Sequence, residues 1–249
     1  MFIDRLAGGE APFVVIGGTA REFIYEEAGY FQDSATKDLD IVLIAEALDA
    51  RFVDDRFMPL VIEGGYTHFT KDGTSQMYRF SRPIDDSFPF QIELLSRRPD
   101  CMRGIERRIG PVKIDDASYS LSAILLDDDY YQLLSSGKAV TDKYGMPTLR
   151  HEYLPVFKMK AYNDLRDRRT AGEAIRRDEV NKHRRDIFKL CALPMPPLPV
   201  GLPQTVLDEV RKFIEEVECP KGFMKGIGLG NIDAEEIKSI IQSYYLGDS

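Results

Sequence analysis

The stretch VVIGGTAREF, residues 14–23, constrains this chain more than any other. An apolar run stops at two glycines and a threonine. Residues 12–16 (Pro-Phe-Val-Val-Ile) read as a short buried strand that Gly17 and Gly18 break. From Thr19 to about Gly29 the pattern turns helical, with Ala20, Phe23, Ile24 and Ala28 on one face and Thr19 as the expected N-cap. A strand that ends in two glycines and enters a helix presents bare backbone N–H groups and the helix's positive end. That is a place for phosphate oxygens, and Thr19 adds a hydroxyl donor.

The second stretch, TKDLDIVLI at residues 36–44, is another apolar run, with Asp38 and Asp40 at its mouth. Strand periodicity is two, so positions 38 and 40 share one face and Leu39 takes the other. Two carboxylates on one face repel and call for a cation between them. Oxygen ligands of this kind suit Mg²⁺, which completes its shell with water and substrate phosphates. A two-metal site needs a third acid. Glu93 in FQIELLS is the candidate, because Ile92 and Leu94 beside it are expected to face the core. One stretch would cradle a polyphosphate and the other would hold the metal that neutralises it, the two parts that metal-assisted nucleotidyl transfer needs.

Other chemistries lack their residues. No Gly-Lys-Ser/Thr forms a phosphate loop, GGTA lacks the third glycine of a dinucleotide fold, and no Gly-x-Ser-x-Gly is present. The three histidines (His68, His151, His183) are scattered, and the three cysteines (Cys101, Cys191, Cys219) have neither metal-ligand spacing nor the look of a disulfide framework. A reduced cytoplasm is the expected compartment. No apolar run approaches the roughly 18–20 residues of a membrane helix, so no membrane partner is expected. Asp4, Arg5 and Glu10 interrupt the opening segment where an export signal would need an apolar stretch.

The net charge of −8 argues against a surface that grips nucleic acid all over. It is not uniform, however. Residues 158–189 hold eleven Lys or Arg against six Asp or Glu, a local balance of +5 that leaves −13 for the rest of the chain. Such a segment is either a local phosphate site or a solvated helical face.

The order of elements predicts an α/β (α+β) fold: a mixed-sheet domain over residues 1–120, then a helical domain over 121–249 with a proline-rich linker at 194–203. A helix is expected over roughly 46–62, a hairpin about Lys71-Asp72-Gly73, strands over 88–96 and in RIGPVKI, and a helix in SLSAILLDDDYYQLL. The helical part shows Leu154, Phe157, Ala161 and Leu165, then Val180, Ile187 and Leu190, at helical spacing, with two more amphipathic helices near 203–217 and 233–245.

With these residues in place, the sequence resembles the DNA polymerase β-like nucleotidyltransferase superfamily. That family's mark is Gly-Gly/Ser, a helix, Asp-x-Asp on the next strand and a third acid on a later one; here Gly17–Gly18, Asp38–Asp40 and Glu93 match it. The helical half looks like the AbiEii type, the nucleotidyltransferases of abortive-infection and type IV toxin–antitoxin systems. LPVFKMKAYNDLRDRR is similar to its Leu-Lys-x-x-Ala…Arg helix, and NKHRRDIFKL to its Lys-x-x-x-Asp block. The resemblance spans roughly residues 12–192. It implies that the helical domain completes the nucleotide site. Lys158 would contact a nucleoside triphosphate, Asp186 would orient that lysine or assist catalysis, and Lys182 would add positive charge. Lys160 competes with Lys158 for the role, though Lys158 follows the apolar pair as the family pattern does. It further implies Mg²⁺ as cofactor and a cognate antitoxin as partner.

Two positions depart from the pattern. Ser34 stands where many relatives carry arginine, and Glu93 where aspartate is frequent. The acceptor is left open among a tRNA end, a protein side chain and a small molecule of aminoglycoside kind, the basic segment leaning toward RNA. A non-catalytic nucleotide-binding regulatory module is the alternative outside enzyme chemistry.

Overall fold

The computed structural model describes residues 13–30, 38–43, 52–67, 79–96, 127–141, 145–198 and 201–247. Its contacts divide the chain into two units. One holds residues 1–126 and 131–150, and the other holds residues 127–130 and 151–249.

The first unit is built on a mixed six-stranded sheet. Its strands are β1 (Phe13–Ile16), β2 (Asp38–Leu43), β3 (Arg79–Ser81), β4 (Gln91–Ser96), β5 (Lys138–Val140) and β6 (Pro147–Leu149), in the order β3-β4-β2-β1-β6-β5. β1 pairs antiparallel with β2 and parallel with β6, and β2 pairs parallel with β4. The edge strands β3 and β5 run antiparallel to β4 and β6. β1 is central and buried along its whole length, which is why FVVI is continuous rather than alternating. The sheet thus takes in residues 138–140 and 147–149, beyond the division near residue 120 that the sequence predicts.

Helix α1 (Gly17–Glu27) follows β1 without a linker and packs on β1 and β2. Ala20, Phe23 and Ile24 are buried as the spacing predicts. Tyr25 completes the buried face, and Ala28 lies exposed just past the helix. The helix expected over 46–62 is a π-helical turn at Phe52–Phe57 running into α2 (Met58–Glu63). Phe57 meets Phe80 of β3 edge to face at 5.5 Å, tying this segment to the sheet. Of the expected hairpin, one pair of backbone hydrogen bonds is described. Both bonds run between Thr67 and Ser81 at 3.0 Å, an isolated bridge; residues 68–78, which hold the expected turn and most of both arms, lie outside the described residues, as does RIGPVKI. Of SLSAILLDDDYYQLL the described part is helical, α3 (Asp128–Ser136), capped by Asp127 accepting from the N–H of Asp129 at 2.9 Å.

The second unit is helical: α4 (Leu154–Thr170), α5 (Arg177–Cys191), α6 (Gln204–Glu216), the short α7 (Phe223–Gly226) and α8 (Ala234–Leu246). The proline-rich stretch 194–203 carries no helix or strand among its described residues. α4 is the central helix, packed against both α5 and α6, and it is buried over most of its circumference. An aromatic chain forms the core: Tyr162 meets Phe213 at 5.2 Å, Phe213 meets Phe188 at 6.3 Å, and Phe188 meets Phe223 at 5.2 Å. No helix among the described residues is long and apolar enough to cross a membrane.

Phe213 is fully buried at the centre of that chain. Phe213→Ala is expected to lower the unfolding free energy by about 3–5 kcal/mol, measured by denaturant titration.

Candidate functional site

The sheet brings the two opening stretches together. Ile16, the last residue of β1, pairs with Asp40 of β2, and Asp40 pairs on its other side with Glu93 of β4. Asp38 pairs with Gln91. Paired positions share a face and lie about 4.5–5.5 Å apart between Cα atoms, so positions 38, 40 and 93 fall on one face of two adjacent strands. The opposite face is core. Ile92 pairs with Leu39 and with Phe80, and both Ile92 and Phe80 are fully buried. On the acid face, Gln91 and Ser81 are half-buried.

The glycines begin one residue past Ile16. Gly17 has φ 68°, a left-handed conformation that costs glycine nothing. It lets the chain turn from the end of β1 straight into α1. This overturns Thr19 as the N-cap. The cap position falls on Ile16, with no side-chain hydrogen bond, and Thr19 is the third helical residue. Gly17 and Gly18 therefore contribute first-turn N–H groups that have no acceptor within the helix. No acidic residue stands in that turn to offset the positive end.

The remaining candidates lie in the helical unit. Lys158 of α4 donates to Asp186 Oδ2 of α5 at 2.6 Å, and the two side chains are only 6% and 3% exposed. Lys160, one half-turn on, instead pairs with Glu209 of α6 at 2.5 Å. Glu209 also accepts from Asn163 Nδ2, through its carboxylate at 2.8 Å and its carbonyl at 2.9 Å. Lys182 is exposed on α5. His183, which the sequence reading set aside, is in electrostatic reach of the buried pair. Burial, with the Lys158 charge adding to it, pushes its pKa down to about 3, and its Nδ1 is buried with no hydrogen-bond partner among the described residues.

Several basic side chains of the stretch 158–189 are paired with carboxylates. Besides the two lysine pairs, Arg166 pairs with Asp167 and Glu216, Arg168 with Asp164 and Glu173, and Arg176 with Glu179. Arg184 donates to the Glu218 carbonyl and stacks on Phe223 at 4.6 Å. Glu209 and Glu216 lie outside the counted segment, so a linear tally of +5 could not register them. Arg79 was likewise not singled out in the sequence. Only the register of β3 places it opposite Glu93.

No family model matches the chain, and no curated protein does. A solved structure that it resembles is an antigenic nucleotidyltransferase-like protein from Paracoccidioides brasiliensis, with 12% identity, 86% of this chain and 83% of that chain covered, and a TM-score of 0.39. A likeness at that score carries no argument about activity.

Two predictions concern the buried cluster. Lys158→Met leaves a buried carboxylate without its cation and is expected to cost about 3–5 kcal/mol, whereas Lys158→Met with Asp186→Leu recovers most of the loss in denaturant titrations. His183 stays neutral in the fold but charges in the unfolded chain below its ordinary pKa of 6.5. The unfolded state therefore binds the extra proton, and stability falls as pH drops below 6.5, by up to about 1.4 kcal/mol per pH unit. His151, lowered by burial, acts in the same direction. His183→Leu is expected to flatten the stability profile between pH 6.5 and 5 relative to the parent.

Proposed function

We propose that this chain is a Mg²⁺-dependent nucleotidyltransferase that moves a nucleoside monophosphate from a nucleoside triphosphate to an acceptor hydroxyl. The observation that carries the reading is the register Ile16–Asp40–Glu93, which sets a glycine turn and three acids side by side on adjacent strands. The resemblance to polymerase β-like nucleotidyltransferases supports it, and the AbiEii type is its finer form, with a toxin role, a tRNA or protein acceptor and a cognate antitoxin.

The donor set fits the ion. Three carboxylate positions on one face offer the hard oxygen ligands that Mg²⁺ takes, with room in its shell for phosphate. Asp38, Asp40 and Glu93 would hold it, and when bound it supplies positive charge against the triphosphate. The backbone N–H groups of Gly17 and Gly18 receive phosphate oxygens at the positive end of α1. Glu93 accepts the proton of the attacking hydroxyl. The acceptor oxygen bonds to the α-phosphorus, the bond between the α-phosphorus and its bridging oxygen breaks, and pyrophosphate leaves with that electron pair. Positioning and charge neutralisation do most of the work.

The Lys158–Asp186 pair supports Lys158 over Lys160 as the lysine of the resemblance, because Asp186 is the acid that the family pattern couples to it.

Asp40→Asn preserves size and removes the charge. Pyrophosphate release from labelled triphosphates with Mg²⁺ and cell extract is expected to fall at least about a hundredfold, with the circular dichroism spectrum unchanged. Undiminished release by Asp40→Asn would contradict the assignment.

A further inference from the structure

The row of positions on the acid face continues past Glu93. β3 is an edge strand of the described sheet, and its first residue, Arg79, pairs antiparallel with Glu93. Across the sheet at this level the order is Arg79 on β3, Glu93 on β4, Asp40 on β2 and Ile16 on β1, with the glycines following. Position 79, an arginine in the sequence, thus stands at one end of the row and the glycine turn at the other. Both acid-bearing strands lie between them. Three inter-strand spacings separate β3 from β1, about 14 Å.

Two facts give this order a meaning. Phe80 and Ile92 are paired and fully buried, so position 79 shares the acid face rather than the core. Ser81 and Gln91 on that face are half-buried, so the β3 side of the row is not sealed. On the function proposed above, the backbone of Gly17 and Gly18 takes the triphosphate at the far end. An in-line displacement needs the leaving pyrophosphate and the attacking oxygen on opposite sides of the α-phosphorus. With pyrophosphate leaving toward the glycines, the nucleophile enters from the side of β4 and β3.

We infer that Arg79 is the acceptor-side cation of this site, and that the acceptor carries a phosphate beside its nucleophilic hydroxyl. The inference rests on the nucleotidyltransferase reading above. A planar guanidinium matches two phosphate oxygens at once, which an ammonium does not. A cationic acceptor such as an aminoglycoside is disfavoured at this end, because the arginine repels it. A nucleic-acid end and a free phosphorylated metabolite share the required chemistry.

The test compares the full-length parent with Arg79→Gln and Arg79→Lys. Binding of each nucleoside triphosphate with Mg²⁺ is measured by calorimetry. Transfer of label is then measured with three acceptor pools: total cellular RNA, a phosphorylated small-molecule fraction, and an aminoglycoside mixture. The parent is expected to label RNA or the phosphorylated fraction, which tells the two sources apart, and to leave the aminoglycosides unlabelled. Arg79→Gln is expected to bind nucleotide within about twofold of the parent while its acceptor KM rises about tenfold to a hundredfold, with kcat little changed. Arg79→Lys recovers only part of the loss. Retained nucleotide binding shows that the variant is folded. Nucleotide affinity that falls as far as transfer would move Arg79 to the triphosphate and overturn the inference, and so would an unchanged acceptor KM or label on an aminoglycoside. A parent that neither binds nucleotide nor releases pyrophosphate would overturn the underlying reading itself.

Discussion

The pairing of β2 between β1 and β4 is the constraint on which the candidate site depends. β1 has no polar position to spare; every residue from Phe13 to Ile16 is buried. The pattern that specifies the register is that of β2, where a slip of one residue would exchange positions 38 and 40 with the apolar positions 39 and 41. The same register that buries Val14 and Val15 sets Ile16 beside Asp40, and the parallel pairing with β4 sets Glu93 on the other side. The acids are thus held in register by apolar pairs at neighbouring positions, Leu39 with Ile92 and Ile41 with Leu94.

The glycine turn depends on that geometry too. β1 must stop where the acids begin, and α1 must start at once to pack on β1 and β2. A residue with a side chain at position 17 would have to hold φ 68° against steric cost. The helical unit is governed by a different kind of interaction. Lys158 and Asp186 are buried charges that offset each other's burial, and the aromatic chain from Tyr162 to Phe223 packs the same helices around them.

Much of this was legible in the residues. The strand–glycine–helix start, the Asp-x-Asp strand, the Glu93 strand and the helices near 204–216 and 234–246 each carry a local signal, whether periodicity or a break in it. What was not legible depends on partners distant in sequence. Thr19 reads as a cap because threonine favours caps, but the backbone freedom of Gly17 moves the cap to Ile16. The strands at 138–140 and 147–149 are three residues long, too short for periodicity to mark, and they join the sheet through β1. The partners of Lys160 and Arg166, Glu209 and Glu216, lie 49 and 50 positions from them along the chain, where a tally over 158–189 does not reach. Arg79 became visible only once β3 was paired with β4.

On the proposed function, Gly17–Gly18, Asp38, Asp40 and Glu93 form one metal-and-triphosphate site. The most direct measurement is Mn²⁺ binding followed by electron paramagnetic resonance, with Mn²⁺ standing in for Mg²⁺, in the parent and in Glu93→Gln, with and without nucleoside triphosphate. The parent is expected to remove the free-ion signal, more strongly once triphosphate is present, and Glu93→Gln to weaken both effects. Mn²⁺ binding that ignores triphosphate, or that survives Glu93→Gln unchanged, would contradict it.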